Sequence, residues 1–286
     1  MSPGTIAQLA CVLEVTARKP GNVHRYADFA DASYLDFLLS ARAIVGPLDQ
    51  ARESGIGQTV LECVKAAQCF ISTNTNLGIV LLLAPLACVP EGVPLQDGLA
   101  KVLLATTVDD ARLVYEAIRL ARPGGLGSAK VQDVHHEPTV TLIDAMRLAA
   151  DRDAIARQYV TRFADVFEIA LPALKASFRA GRSWETAVVL THLTLLSRLP
   201  DTLIARKRGD SEARIASALA KDVLELGWPD REGGVTRFRA FDAWLREGGH
   251  ARNPGATADL VAAALFAALR DGTILFPLKN EVPDPF

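Results

Sequence analysis

The chain has 286 residues, half of them hydrophobic and only 6% aromatic, with a formal net charge of −2. That length suits one large domain or two small ones. The near-neutral balance gives no global basic field, so nucleic acid is not an expected partner and basic residues matter only where they cluster.

Ala and Leu dominate, a composition that favours helices packed closely through small residues. The four cysteines, Cys11, Cys63, Cys69 and Cys88, form no CxxC pair and sit in apolar runs, so they read as buried free thiols of a reducing compartment. The first fifteen residues have no basic n-region and do not read as a signal peptide. The longest apolar run, 77–89, is interrupted by Pro85 and is too short to span a bilayer. A cytoplasmic protein without a membrane partner is expected.

Helical periodicity runs through nearly the whole chain. The first helix is expected over Ile6–Thr16 and a second over Ser33–Arg52, with Ser33 and Asp36 forming its capping turn. Gly57–Ser72 reads as a third, and Leu77–Ala87, nearly all apolar, as a central buried helix. Leu95–Thr106 and Val108–Arg122 follow, the latter with Asp109 and Asp110 in its dipole-favoured first turn. Further helices are expected over Thr141–Ala150, Asp153–Ala180, Trp184–Arg198, Ser211–Leu226, Val235–Arg246 and Thr257–Arg270. Only Thr273–Leu278 has strand character. No βαβ alternation, solenoid period or linker is visible, so the expectation is a single all-α globular domain, residues 1–286, of roughly ten or more helices. With neither a P-loop nor a Rossmann unit, a nucleotide would have to bind at helix ends and inter-helix loops.

Five breaks between helices carry unusual polar content. Arg18-Lys19-Pro20-Gly21-Asn22-Val23-His24-Arg25 joins a Pro-Gly turn, whose amides are available, to cations, an amide and an imidazole; this suits an oxygen-rich anion, and a solvated basic loop is the alternative. Ser72–Gly78 places Asn74 and Asn76 ahead of the most hydrophobic helix, as caps or as ligand contacts at a helix N-terminus. The long loop from Arg122 to Val134 offers Gly125, Gly127 and Lys130; the adjacent His135 and His136 do not suit a single metal ion. Asp201 precedes Arg206-Lys207-Arg208, which taken alone reads as an exposed charge run. Pro254-Gly255 enters an Ala-rich helix carrying Asp259, either dipole-favoured at the surface or metal-facing.

Together these segments resemble the triphosphoribosyl-dephospho-CoA synthase family. The resemblance rests on Glu14 followed by Lys19-Pro20-Gly21, on Asn74-Thr75, and on Gly125-Leu126-Gly127-Ser128-Ala129-Lys130. It continues with Asp201-Thr202, Lys207-Arg208-Gly209 and, most specifically, Pro254-Gly255-Ala256-Thr257-Ala258-Asp259-Leu260. It departs from the pattern at Asn76-Leu77, where family members carry His-Lys, and at His24, where many carry Asp. That places the chain with a divergent branch of the kind found in archaea and one-carbon-metabolising bacteria.

The resemblance implies transfer of the triphosphoribosyl group of ATP to an acceptor hydroxyl, 3′-dephospho-CoA or a related precursor, with release of adenine. Breaking that glycosidic bond passes through an oxocarbenium-like state. ATP as substrate and Mg²⁺ on its triphosphate follow. The expected triphosphate contacts are Lys19, Arg25, Lys130, Arg206 and Lys207, with backbone donors at Gly21, Gly125 and Gly127. Glu14, Asp36 and Asp201 are expected as catalytic carboxylates, and Asp36, Asp201 and Asp259 as metal ligands. Asn22, Asn74 and Asn76 would read base or sugar, and His24 would be the acid assisting adenine departure.

Two other readings stand beside this one. One is phosphoribosyl-type transfer in the synthesis of a methanopterin-like one-carbon carrier; the other is a helical nucleotide-binding protein without catalysis. An all-α metal phosphohydrolase would need a His/Asp cluster that the five histidines do not supply. His192, within an apolar helix, reads as a packed core residue. The partners expected are small nucleotides, with room for a homodimer.

Overall fold

The computed structural model describes residues 1–124 and 127–278. It is all-α among those residues, and its contacts divide it into two compact units, Met1–Val12 with Leu35–Ala164, and Leu13–Tyr34 with Asp165–Phe286.

The first unit holds most of α1 (Pro3–Thr16), α2 (Tyr34–Ala43), α3 (Val45–Asp49), α4 (Ala51–Gln68), α5 (Leu77–Cys88), α6 (Leu95–Leu104), α7 (Val108–Ala121), α8 (Leu142–Arg147) and α9 (Ala154–Thr161). As its all-apolar sequence dictates, α5 is the buried centre, with Leu82, Leu83 and Leu86 fully enclosed by α3, α4, α6 and α9. Pro85 lies inside it and has no N–H for the carbonyl of Leu81, four residues back. The fully buried Tyr159 supplies the missing donor, its Oη bonding Leu81 O at 2.6 Å. α4 packs on α7 so closely that a Cβ on Gly57 would stand 2.6 Å from Asp110 Cα, and Gly57 N–H donates to Asp110 Oδ1 at 2.9 Å. Asp110 also closes the capping box with Thr107.

The second unit contains a π-helical turn (Asp165–Ala170), α10 (Leu171–Arg179), α11 (Trp184–Arg198), α12 (Thr202–Arg208), α13 (Asp210–Glu225), α14 (Glu232–Arg246) and α15 (Gly255–Arg270). α11 is its hub, contacting α10, α13, α15 and the π-helical turn. Small residues let α15 sit deep, with Ala262, Ala263, Ala264 and Ala268 fully enclosed.

The structure departs from the periodic reading at the breaks. The expected helix Ser33–Arg52 is divided into α2 and α3 and then runs into α4, because Pro47 cannot continue the α2 ladder. α4 starts six residues before the expected Gly57 and is kinked at Gly55, whose φ is 77°. Asp153–Ala180 is three segments, since Arg162 and Phe163 both take left-handed conformations. Arg206-Lys207-Arg208, read as a charge run, forms the last turn of α12. Thr273–Leu278 pairs with no strand; the single β-bridge among the described residues joins His24 to Ala27. Cys11 and Cys63 are buried as expected, whereas Cys88 is half-buried and Cys69, which caps the end of α4, is exposed. No single helix among the described residues is long and apolar enough to cross a membrane; α11 and α12 together pass on length and composition, but they are bent by 57°.

Candidate functional site

The Lys19–Arg25 turn belongs to the second unit and is held from three sides. Lys19 folds back on the end of α1. Its Nζ is fully buried, bonded to Glu14 Oε1 at 2.8 Å and to the carbonyls of Glu14 and Ala17. Those carbonyls are left open at the end of α1, where a cation is favoured. Burial pushes the Glu14 carboxyl up, and the Lys19 ammonium opposes that shift. Lys19 was expected on the triphosphate and Glu14 as a catalytic carboxylate; enclosed and bonded to each other, they lock the turn to its helix. His192 of α11 is also fully buried, with no partner on either ring nitrogen, and burial together with the Lys19 charge keeps it neutral.

Arg18 and Arg25 converge on Glu185 in the first turn of α11. Arg18 donates its N–H, Nε and Nη2 to the carboxylate, at 3.0, 2.9 and 3.0 Å, and Arg25 Nη2 adds a bond of 2.8 Å. Glu185 is buried; burial raises its carboxyl, but the two guanidiniums prevail and hold it below the usual range. Both guanidiniums also approach the exposed ring of Tyr26, at 5.6 and 4.9 Å from its centroid.

The third anchor is the end of α14 with the loop before α15. Gly21, at φ 73°, donates its N–H to Asp242 Oδ1 at 2.7 Å, and a Cβ there would meet Leu245 Cβ at 2.7 Å. Arg246 bridges Asp242 and the carbonyl of Asn22. Asn22 Nδ2 donates to Asn253 Oδ1 at 2.6 Å, while Asn22 Oδ1 is buried without a donor. His24 Nδ1 accepts the N–H of Tyr26 at 3.2 Å, which assigns the ring proton to Nε2. Burial first, then the charges of Arg246 and Lys19, lower its pKa to about 4. His24 is therefore neutral at pH 7, its ring pKa lying below the near-neutral value expected of it as an acid.

Asp201 is also committed. Oδ1 caps α12 through the N–H groups of Leu203 and Ile204, and Oδ2 accepts the N–H and Oγ1 of Thr257. Burial raises its carboxyl against those hydrogen bonds. A carboxylate with four donors has no geometry left for metal or substrate, so the expected catalytic and metal roles give way to a structural one. Arg206 is exposed. Lys207 is half-buried, its pKa lowered chiefly by burial, with Nζ 3.3 Å from His250 O; His250 Nδ1 pairs with Asp31 at 3.0 Å. Asp259 lies in the second turn of α15 rather than the first, because the helix starts at Gly255.

The remaining expected residues belong to the first unit. Asn74 Oδ1 accepts the Leu77 N–H at the start of α5, and Asn76 has a buried Nδ2 without a partner. Thr75 Oγ1 and Ser40 Oγ are hydrogen-bonded, and Ser40 Oγ donates to the carbonyl of Asp36, so this turn sits beside α2. Gly125 lies outside the described residues. Gly127 and Lys130 are exposed on a loop shaped by Asp133, whose carboxylate accepts from Ala129 N–H and from the N–H and Nδ1 of His135. Those hydrogen bonds hold it far below the usual carboxylate range. Among the described residues no group of three or more His, Cys, Asp or Glu could hold a metal ion.

Glu185, Asp242, Arg246 and Asn253 are the partners that sequence reasoning missed. Glu185 follows the cap Ser183 and looks like any dipole-favoured first-turn acid; the Asp242–Arg246 pair looks like an ordinary i,i+4 surface pair.

Among the described residues the chain is all-α, with amides, a neutral imidazole and cations gathered at helix ends and no strand–loop–helix phosphate cradle. The chain matches the model of the ATP:dephospho-CoA triphosphoribosyl transferase family (CitG) over residues 1–275, and it belongs to that family. A protein of Stutzerimonas stutzeri named a 2-(5″-triphosphoribosyl)-3′-dephosphocoenzyme-A synthase is 36% identical over 104 residues, which is 36% of this chain and 35% of that one. One of the same name from Malonomonas rubra is 31% identical over 104 residues, 36% of this chain and 32% of its own. The matched stretch thus spans about a third of the length of these curated relatives. A crystal structure from Archaeoglobus fulgidus, assigned as a triphosphoribosyl-dephospho-CoA synthase, superimposes with a TM-score of 0.64 at 27% identity, covering 82% of this chain and 99% of the other.

Proposed function

We propose that the chain transfers the triphosphoribosyl group of ATP to a hydroxyl of 3′-dephospho-CoA or a close relative, releasing adenine. The family match over residues 1–275 carries this reading. Of the cations expected on the triphosphate, Arg206 is exposed and Lys207 half-buried in the second unit, and we assign them to the triphosphate. Lys19 and Glu14 fix the turn, Arg18, Arg25 and Glu185 clamp it, and Asn22 and His24 present polar atoms from it. In the first unit, Asp36, Asn74, Asn76, Gly127 and Lys130 stay candidates, each to be tested by itself. Mg²⁺ enters as the ion that ATP carries, with Asp259 as a candidate carboxylate. Asn76-Leu77 in place of His-Lys supports a divergent branch.

Incubating the protein with ATP, Mg²⁺ and dephospho-CoA should release adenine in step with a product heavier by the triphosphoribosyl group, seen by chromatography and mass spectrometry. No adenine with any CoA-type acceptor would overturn the proposal.

A further inference from the structure

Two polar atoms in the turn lack a protein partner and are complementary in kind. Asn22 Oδ1 is a buried acceptor without a donor, its Nδ2 being committed to Asn253. Leaving such a group unpaired carries a desolvation penalty that a donor from a ligand would remove. His24 Nε2–H is a donor, because Nδ1 is used by the Tyr26 N–H, and no described residue accepts it. Arg246 bonds the backbone carbonyl of Asn22, and its charge acts on the His24 ring.

We propose that this pair reads the Hoogsteen edge of adenine, Asn22 Oδ1 accepting from the exocyclic N6 amine and His24 Nε2–H donating to N7. The assignment rests on the ATP reading above and goes beyond it by fixing the base and the role of the ring. Guanine offers acceptors at both corresponding positions, O6 and N7, and would set O6 against Asn22 Oδ1.

The pair also bears on the chemistry. As the C1′–N9 bond breaks, its electron pair passes into the adenine ring, and a hydrogen bond at N7 stabilises that charge. The acceptor's hydroxyl oxygen bonds to C1′, and the hydroxyl proton ends on adenine. His24 keeps its own proton throughout. The charged groups facing it are Arg246 and Asp242 from α14, and Lys19 and Arg18 from its own segment, with Tyr26 at its edge. Three cations against one carboxylate, together with burial, keep the ring neutral.

Calorimetric binding of ATP, GTP and 7-deaza-ATP, in which C–H replaces N7, tests the assignment on the full chain. Wild type should prefer ATP to either analogue by about tenfold, the scale of one lost hydrogen bond. His24→Phe should weaken ATP by a similar factor and leave 7-deaza-ATP unchanged. His24→Gln, with an amide N–H near the Nε2 position, should restore most of the preference. The kcat/KM for ATP should stay level from about pH 8 down to about pH 5, without the decline near pH 6.5 that a required imidazolium would give. Equal binding of ATP and 7-deaza-ATP by wild type, or equal weakening of both in His24→Phe, would overturn the inference. Thermal midpoints show whether each variant folds; should His24→Phe unfold, wild type and His24→Gln decide. Selective ATP binding without adenine release would sink the transfer reading and leave this one standing; no ATP binding would overturn both.

Discussion

Asp201 Oδ2 accepts both the N–H and the Oγ1–H of Thr257, at 2.7 Å each, and so joins the start of α12 to the start of α15. Its other oxygen caps α12. Asp201→Asn would turn an N–H₂ group toward donors, and is expected to destabilise the fold by about 2–3 kcal/mol. Urea unfolding and turnover, measured together, separate the roles: a structural Asp201 moves the unfolding midpoint first, whereas a catalytic base would lower kcat by orders of magnitude in a protein of unchanged stability.

The Glu14–Lys19 pair makes a different prediction. Removing one partner leaves a buried charge alone, so Glu14→Gln and Lys19→Met should each destabilise by about 3 kcal/mol or more. The double variant should be milder than the sum of the two. A double-mutant cycle in guanidinium gives the coupling directly, and additive effects would mean the two groups do not act as a pair.

Gly21 and Gly57 should both refuse alanine, for different reasons. At Gly21 a Cβ meets Leu245 side-chain atoms from 2.7 Å, on backbone at φ 73°; at Gly57 it meets the Asp110 backbone at 2.6 Å. A side chain can yield and a helix backbone yields less. Gly57→Ala should therefore cost more stability than Gly21→Ala, with about 1–3 kcal/mol expected at Gly21. Gly21→Ala should in addition weaken ATP binding, since it displaces the turn that carries Asn22 and His24.

The histidines set a pH dependence with a definite sign. An unfolded chain protonates His24 near the ordinary imidazole value of 6.5, whereas the folded protein resists until about 4. Between those values the unfolded state binds more protons, so this contribution to stability is full above 6.5 and is lost as pH falls toward 4. The neutral, buried His192 acts in the same direction. Glu14 and Asp201, whose carboxyls are raised by burial, act in the opposite direction: their contribution is full below the ordinary carboxylate range and is lost as pH rises through the raised value. The difference in unfolding free energy between wild type and His24→Gln isolates the His24 share; a difference independent of pH over that window would refute it.

The long elements were legible in the sequence because α5 is defined by its unbroken apolar composition and α11 by a long, mostly apolar run whose expected bounds match the structure. The breaks were less so. A helix halted by Pro47, or by left-handed Arg162 and Phe163, keeps its apolar rhythm across the interruption, and rhythm alone does not register it. The site divided along the same line. The Pro-Gly turn announced itself by residue type, but nothing in a row of cations says which will fold inward. Lys19 does so because the carbonyls at the end of α1 and the Glu14 carboxylate wait for it, and Asn22 is held by Asn253, 231 residues away.

The bond from Tyr159 to the Leu81 carbonyl ties two distant positions into one inheritance unit. With Pro85 in α5 that carbonyl needs an outside donor, and Tyr159 brings it. Replace Pro85 by a residue with an N–H, and the carbonyl has a donor from its own helix, leaving a buried phenol with a weaker claim. Replace Tyr159 by Phe while Pro85 stays, and the central helix carries an unanswered acceptor. Substitutions at 85 and 159 are therefore expected to arise together across related chains.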